Sequence, residues 1–329
     1  MTVALVRDDT ARFAGLIAAT AEVRGLDPSL VEKDYWAVEA LRTVHRGFDF
    51  TTRDTTVHVQ PIFKGGTSLS KAFGLIQRFS EDIDLLVPVP AADPKDFTQR
   101  ERSELLKVAT GTVTAALGIE GERQGGRRGV DLHWRYPYEP VAADPAAIDV
   151  EPAVRVELTV MGGESPRSTA TVRSMVSEHA ETITDFPDYD DLTALSIETL
   201  APERTLVEKL AMLHDAASTA TPDEPGRLTR AGRHYYDVTM LLRDDAVRRT
   251  LTPDSVAAMA ANADTWSGLG GFPFTPRPEA GFAESPAFND AELMAVISQS
   301  YNIALTWVWG ERPPLDECLE TIKSHAALL

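Results

Sequence analysis

The sequence predicts a mixed α/β (α+β) protein of two lobes, with a small mixed sheet in residues 1–190 and a helical lobe in residues 191–329. Short segments with the alternating pattern of half-buried strands lie among helical patterns up to about residue 161. Helical patterns dominate after Asp185. A chain of 329 residues is also long enough for one large domain or two ordinary ones.

The first elements are predicted to be two helices between residues 12 and 48. They are separated at residues 25–28, where Asp27 can cap the second helix and Pro28 can occupy its first turn. The second helix contains the segment VEKDYWAVEAL, residues 31–41. Its acids and lysine predict either a charged, solvated helix face or a functional motif, and its aromatic pair can dock the helix onto the core.

The remaining elements follow from local periodicity. Alternating apolar residues predict strands, and longer amphipathic segments predict helices. Pro61 lies inside the first strand segment and favours an edge or early strand there. Strands are predicted at residues 57–63, 82–87, 130–136 and 153–161, and helices at residues 67–77, 95–117, 202–217, 230–242, 253–263 and from 290 onward.

The composition limits the classes of function. A formal net charge of −18 argues against broad, nonspecific binding to nucleic acid or anionic lipid, but not against a local basic surface. The single cysteine, Cys318, excludes an intrachain disulfide framework and a cysteine-based zinc site. The N-terminal segment lacks the apolar core of a signal peptide, and there is no run of about 18 apolar residues. We therefore expect a cytoplasmic protein that does not enter a membrane.

The segment FKGGTSLSKAFGLIQRFSEDIDLLV, residues 63–87, carries two acids inside a predicted strand. Alternation places Asp82 and Asp84 on one face of that strand, about 7 Å apart. Carboxylates held so close repel each other unless a cation lies between them, and Mg²⁺ commonly uses one or two carboxylates together with phosphate oxygens. The pair therefore predicts a site for Mg²⁺ and a nucleotide phosphate.

The same segment supplies groups suited to phosphate. Gly65 and Gly66 allow close backbone approach at a strand-to-helix turn, and the helix from Thr67 would present free N–H groups. Glu157 would complete a carboxylate triad if its strand neighbours that of Asp82; an ordinary salt bridge, for example to Arg155, is the alternative. The combination of a strand, G-G-T, a helix and S-x-D-x-D is much more specific than any of its parts. Sequence signatures of α/β-hydrolases, H-E-x-x-H metalloproteases and P-loop NTPases are absent.

Four ordered segments resemble one family. Residues 63–85 resemble the signature of the nucleotidyltransferase toxins of the AbiEii/MenT type, within the DNA polymerase β-like nucleotidyltransferase superfamily. VEKDYWAVEAL resembles the N-terminal segment of that family. TLVEKLAMLHDA (residues 205–216) and RHYYDVTMLL (residues 233–242) resemble its two C-terminal motifs, a helical lysine and a helical aspartate.

The resemblance implies roles for individual residues. Asp82 and Asp84 would be catalytic metal ligands, and Gly65, Gly66 and Thr67 would hold the triphosphate. Lys209 would contact phosphates, and Asp237 would be an essential acid. By position and charge, Lys64 and Arg78 are further candidates for nucleotide binding. Ser80 lies two residues before Asp82, so it is a candidate for the edge of the same site or a serine that satisfies the backbone at the strand entry.

The resemblance also implies an activity. We expect Mg²⁺-dependent transfer of a nucleotide from an NTP to an acceptor, with the 3′ end of tRNA as the leading acceptor, in a toxin–antitoxin or phage-defence system with a cognate antitoxin. Transfer to a protein or small molecule is the first alternative, and a catalytically silent module that binds nucleotide or antitoxin is the second. Without the motifs, Lys209 would be read as solvated and Asp237 as a partner of Arg233. The sequence does not predict the preferred NTP or the oligomeric state.

Overall fold

The computed structural model describes residues 4–52, 55–80, 82–91, 93–141, 150–271 and 274–329. Helices and strands are mixed along the described chain, as the sequence predicts. The strands are β1 (Phe48–Thr51), β2 (Thr56–Val59), β3 (Ile62–Lys64), β4 (Asp82–Leu86), β5 (Glu122–Gly125), β6 (Asp131–Pro137), β7 (Ala153–Thr159), β8 (Arg167–Val172) and β9 (Leu195–Leu200). The helices are α1 (Thr10–Arg24), α2 (Pro28–Val44), α3 (Gly65–Lys71), α4 (Gln99–Leu117), α5 (Met175–Ala180), α6 (Pro202–Ser218), α7 (Gly232–Arg243), α8 (Asp245–Thr250), α9 (Pro253–Leu269), α10 (Pro286–Asn289), α11 (Met294–Leu305) and α12 (Leu315–Ser324).

Seven strands form one mixed sheet in the order β5-β6-β7-β4-β3-β9-β8, and β1 and β2 form a separate antiparallel pair. Within the large sheet, β4 runs parallel to β7 and β3 runs parallel to β9, whereas β6 runs antiparallel to β5 and β7. Residues on β4 and β7 alternate between buried apolar and half-buried polar side chains. This alternation means that one face packs on the core and the other carries charge.

Several predicted boundaries are confirmed and others are wrong. The Asp27 side chain caps α2 through the backbone N–H of Ser29, with Pro28 in the first turn, as expected. The predicted strand at residues 57–63 is two strands, because Pro61 has no N–H to donate to a ladder. The helix predicted over residues 67–77 ends at Lys71, shortly before Gly74, whose φ of +65° is left-handed.

The chain folds into two compact units, each built from segments that are distant in the sequence. Unit 1 comprises Met1–Phe63, Glu81–Val160 and Thr169–Thr199, and unit 2 comprises Lys64–Ser80, Met161–Ser168 and Leu200–Leu329. The sequence-based division at residue 190 kept residues 64–80 and 161–168 with the N-terminal lobe, whereas in the structure they belong with the helices that follow residue 200. Tertiary packing decides this grouping, and local patterns do not show it.

Each unit has its own apolar core. In unit 1, a cluster around Phe13, Ile17 and Tyr35 packs α1 and α2 against α5. In unit 2, the core includes Leu210 from α6 and Tyr235 from α7, and these two helices pack on each other and on neighbouring helices. None of the described helices is both long enough and apolar enough to cross a lipid bilayer.

The charged segment of α2 is buried instead of forming a solvated face. The Glu32 carboxylate accepts from the backbone N–H of Val141 at 3.0 Å, and the Asp34 carboxylate accepts from Met175 N–H at 2.7 Å. The Lys33 ammonium donates to the Glu151 carbonyl at 3.3 Å. The solvated-face alternative is therefore wrong. These side chains satisfy buried backbone groups that would otherwise destabilise unit 1.

Candidate functional site

The carboxylates of the predicted metal site lie on β4 and β7 of unit 1. Asp82 and Asp84 are half-buried and alternate with Ile83 and Leu85, which are buried. The strands are adjacent and parallel, and Asp84 is the register partner of Glu157. Register partners in a parallel pair point to the same face of the sheet, so all three carboxylates share one face. The condition set for Glu157, that its strand neighbours that of Asp82, is thus met, while its role as a ligand stays a prediction.

Other polar side chains occupy the same face. His133 on β6 is the register partner of Glu157, with its Nδ1 atom 3.8 Å from Glu157 Oε1. Arg155, the register partner of Asp82, forms an ion pair with Glu151 at 2.8 Å. The Arg155 guanidinium therefore places one positive charge beside Asp82 among the acids of this face.

The carboxylate set fits Mg²⁺ in its donor chemistry. The three groups offer hard oxygen ligands from two adjacent strands, which Mg²⁺ prefers. Among the described residues, no three His, Cys, Asp or Glu side chains are arranged so that they could hold an ion by themselves. Magnesium sites that serve nucleotides commonly use one or two carboxylates and take further ligands from phosphate and water, and Asp82 with Asp84 matches that simpler set.

The predicted phosphate-binding segment opens unit 2. Lys64 precedes α3, and Gly65, Gly66 and Thr67 form its first turn. Gly65 has φ +79°, a left-handed conformation that favours glycine. Gly66 is needed for a different reason: a Cβ atom there would lie 2.5 Å from Nη2 of Arg78. The glycine pair thus forms the turn and lets a guanidinium pack against the start of α3.

Arg78 is held in this position by Asp237 of α7. Its Nε and Nη2 atoms donate to the two carboxylate oxygens at 2.6 and 2.7 Å. The Lys209 ammonium of α6 lies 2.7 Å from the same carboxylate. The three side chains are buried, with Asp237 fully so. Arg78, Lys209 and Asp237 form what we call the buried ion cluster.

Charge and burial oppose each other in the buried ion cluster. Burial alone raises the pKa of Asp237, but the charges and hydrogen bonds of Arg78 and Lys209 outweigh it and hold that pKa well below its ordinary value. Burial lowers the pKa of the Lys209 ammonium, against the attraction of Asp237. Lys209 is therefore not a solvated lysine, and the ion-pair partners of Asp237 are Arg78 and Lys209 instead of Arg233. The sequence motifs predicted Lys209 and Asp237 as site residues, but they did not show that the two side chains are in contact.

His234 adjoins this cluster and was not predicted as a site residue. It is 7% exposed, and its Nδ1 atom has no hydrogen-bond partner in the described part of the chain. Burial, followed by the positive charge of Lys209, lowers its pKa well below the ordinary value, so the ring is neutral at pH 7. The sequence feature that could have identified His234 was its position within the helical aspartate motif, RHYYDVTMLL.

Lys64 has a partner of its own on α6. Its ammonium lies 3.0 Å from Glu208 Oε2, and Arg204 Nε lies 3.2 Å from Glu208 Oε1. Glu208 thus links the residue before the glycine pair to the first turns of α6. From the sequence, Glu208 was only a neighbour of Lys209. The i, i+4 spacing of Arg204 and Glu208 was the signal that could have identified the pair.

Ser80 is half-buried and precedes β4, which begins at Asp82. Strand alternation therefore does not extend to Ser80, and it gives no reason to place the hydroxyl on the same face as Asp82. The assignment of Ser80 to nucleotide binding stays a prediction that rests on its position in the motif.

Comparisons with known proteins agree with three of the four segments, since VEKDYWAVEAL at residues 31–41 lies outside the family match. The family model described as "Nucleotidyl transferase AbiEii toxin, Type IV TA system" matches residues 54–320. Among solved structures, MenT4, a nucleotidyltransferase toxin from Mycobacterium tuberculosis H37Rv, matches with a TM-score of 0.57 and 15% identity, over 96% of this chain and 88% of MenT4. No curated protein matches. At this identity, the structural match shows a shared fold. The family model covers well over half of the chain, and the chain therefore belongs to the AbiEii family of nucleotidyltransferase toxins.

Proposed function

We propose that this nucleotidyltransferase moves a nucleotide from an NTP onto the 3′-terminal hydroxyl of a tRNA in a Mg²⁺-dependent reaction. Membership of a toxin family of toxin–antitoxin systems implies an NTP substrate and a cognate antitoxin. The tRNA acceptor, the metal dependence and a role in phage defence are parts of the proposal. The observation that carries it is the register of Asp84 and Glu157, which aligns carboxylates on neighbouring strands beside Asp82.

The reaction itself needs little covalent chemistry from the protein. The acceptor hydroxyl oxygen forms a bond to the α-phosphorus, the bond from that phosphorus to the α,β-bridging oxygen breaks, and pyrophosphate leaves. The hydroxyl proton is lost to solvent. Catalysis of this kind depends mainly on positioning and on neutralising phosphate charge.

Residues of unit 1 would hold the metal. Asp82 and Asp84 are the proposed ligands, and Glu157 is the candidate third ligand. Mg²⁺ bound there would neutralise charge on the NTP phosphates and orient the α-phosphate that is attacked. The half-buried position of both aspartates keeps their oxygens accessible to an ion while their strand fixes their direction.

Residues of unit 2 would bind the phosphates. Gly65, Gly66 and Thr67 would offer backbone N–H groups at the first turn of α3. Lys209 and Arg78 would add positive charge, oriented by Asp237, which acts as a positioning residue for both cations. Lys64 would act from the residue before the turn. Because an ammonium has three donors, Lys209 can keep its bond to Asp237 and still donate to a ligand.

Transfer to a protein acceptor is a second candidate, favoured by one observation. The net charge of −18 gives a poor overall field for a polyanion such as tRNA. A protein acceptor would not meet this repulsion. The silent-module alternative has no such support, because the acids and both cations of the motifs are all present.

One labelling experiment separates these candidates. The purified protein is incubated with Mg²⁺ and each of the four α-labelled NTPs, with tRNA in one arm and nucleic-acid-free cell protein in another. We expect label at the RNA 3′ end, and none on tRNA whose terminal diol has been oxidised with periodate. Label on protein alone would support the second candidate. Label in neither arm with any NTP would contradict the transfer reaction.

A further inference from the structure

Two neighbouring cavities lie in unit 2 next to the phosphate-binding segment. The first, of about 150 Å³, is lined by Lys64, the residue before Gly65. The second, of about 380 Å³, lies within the size range of about 300–1,000 Å³ typical of small-molecule sites. Arg204 and Trp266 line both cavities, so these two side chains form their common wall.

Arg204 is a fixed hydrogen-bond donor in this wall. Its side chain is 1% exposed, its Nε lies 3.2 Å from Glu208 Oε1, and its Nη1 donates to the Met259 carbonyl at 3.1 Å. Its Nη2 atom donates to no residue in the part of the chain that the structure describes. Gly163 approaches this guanidinium closely, since a Cβ atom there would lie 2.7 Å from Nη2. The Arg204 guanidinium is therefore held rigidly, and its Nη2 is the nitrogen that can donate to a ligand.

Trp266 and Asn262 supply the other two features of a base-binding site. Both lie on α9 four residues apart, so they share one face of that helix, and both line the larger cavity. The Trp266 ring is half-buried and forms no ring pair with any described aromatic side chain. An indole face can stack on a planar ring, and an amide can both donate to and accept from its edge.

We propose that Trp266, Arg204 and Asn262 form the pocket for the nucleobase of the NTP. This inference rests on the proposed function and names the place of the base within it. Bases bind proteins through stacking on aromatic rings and hydrogen bonds to their polar edges, and this wall provides both. Lys64 lines the smaller cavity and adjoins the G-G-T turn, so one nucleotide can place its phosphates at that turn and its base against Trp266.

The test compares an NTP with inorganic tripolyphosphate, which carries the three phosphates but no base. Equilibrium binding of each NTP and of inorganic tripolyphosphate is measured by calorimetry, in the presence of Mg²⁺, for the wild-type protein and for Trp266→Ala. Because stacking on an aromatic ring stabilises a bound base, Trp266→Ala should raise the Kd of the preferred NTP about 10-fold or more. The Kd of tripolyphosphate should change by less than about twofold, since tripolyphosphate has no base to stack, and this also reports that unit 2 remains folded. Trp266→Phe should recover most of the NTP affinity.

A neighbouring control is available on the same helix. Thr265→Ala removes an exposed hydroxyl whose bond is to the Ala261 carbonyl, and it should leave both affinities unchanged. If Trp266→Ala bound the NTP with wild-type affinity, the assignment of this pocket to the base would be wrong. An equal loss of affinity for the NTP and for tripolyphosphate would also contradict it. Equal wild-type affinities for the two ligands would overturn the pocket and leave the proposed function standing. If the wild-type protein bound neither ligand, the proposed function and the pocket would both fail.

Discussion

Arg78 and Asp237 form a two-point ion pair although 159 positions separate them in the sequence, with N–O distances of 2.6 and 2.7 Å. Lys209 shares the same carboxylate at 2.7 Å. A single buried acid thus fixes two cations that we predict to bind phosphate, Lys209 from its motif and Arg78 from its position and charge. In the proposed site, Asp237 would act through these cations, which would account for an acid among groups that bind anionic ligands.

The first prediction concerns the stability of unit 2. Asp237→Asn should lower the free energy of unfolding by roughly 3–5 kcal/mol, because two buried cations lose their counter-charge. Denaturant unfolding at pH 7 measures this. Lys107→Ala is the control, since Lys107 and Glu104 form an exposed pair, and such pairs contribute about 1 kcal/mol or less. Similar, small losses in both variants would contradict the energetic role of the buried ion cluster.

The second prediction is the pH dependence of that difference. The pKa of Asp237 is depressed in the folded state, so its contribution is complete above the ordinary aspartate pKa of about 3.9 and declines as the pH falls towards the folded value. The stability gap between wild type and Asp237→Asn should stay constant from about pH 7 to pH 5 and narrow below about pH 4. A gap that narrows between pH 7 and pH 5 would assign the effect to another group.

The third prediction concerns the glycine pair. Gly66→Ala would put a Cβ atom 2.5 Å from Nη2 of Arg78, which cannot move away without loosening its bonds to Asp237. We expect unfolding free energy to fall by about 1–3 kcal/mol, as for other overpacked sites.

A matched substitution checks the steric explanation. Gly111 lies inside α4, and a Cβ atom there would meet nothing within 4 Å. Gly111→Ala should therefore stabilise the protein by roughly 0.5–1 kcal/mol, the usual gain in helix propensity. Equal effects of the two substitutions in denaturant unfolding would show that Gly66 is not required for the approach of Arg78.

The fourth prediction concerns Lys209. Lys209→Met keeps the unbranched shape and most of the length of the side chain and removes its charge. The kcat/KM for the NTP should therefore fall on the order of 100-fold, as when one donor to a reacting group is lost. The Mg²⁺ concentration for half-maximal activity should change little, because Lys209 is not a proposed metal ligand. Steady-state kinetics with varied NTP and varied Mg²⁺ separate the two effects. Unaltered kinetics for every NTP would remove Lys209 from the site.

Local signals predicted the parts of the fold that are locally determined. The Asp27–Pro28 cap, the glycine turn and the alternation in β4 follow from backbone and side-chain chemistry within a few residues. Strands β1, β5, β8 and β9 were not predicted, and β9 lies in the segment assigned to the helical lobe. In β5 and β8, ERQG and RSTATV are short and mostly exposed, so they carry no apolar alternation. Their pairing is decided by neighbouring strands.

In the candidate site, too, local features were predicted from the sequence and long-range contacts were not. The motifs predicted Asp84, Lys209 and Asp237 as site residues, and the alternation of its strand made Glu157 a candidate. Their partners could not be deduced, because strand register and the contact of Arg78 with α7 are long-range features. Burial of Lys209 was also hidden, since a lysine beside Glu208 on an amphipathic helix is usually solvated.

Loss of label transfer in Asp84→Asn is the direct test of Asp84 as a metal ligand in nucleotide transfer. The variant and wild type are incubated with Mg²⁺, the preferred labelled NTP and acceptor, and Glu122→Gln serves as the control, because Glu122 is an exposed acid on β5 of the same sheet, paired with Arg135. We expect transfer by Asp84→Asn to fall on the order of 1,000-fold, with its melting temperature unchanged or raised by relief of repulsion from Asp82. Glu122→Gln should keep wild-type transfer. A folded Asp84→Asn protein with wild-type transfer would contradict the proposed role of Asp84 as a metal ligand.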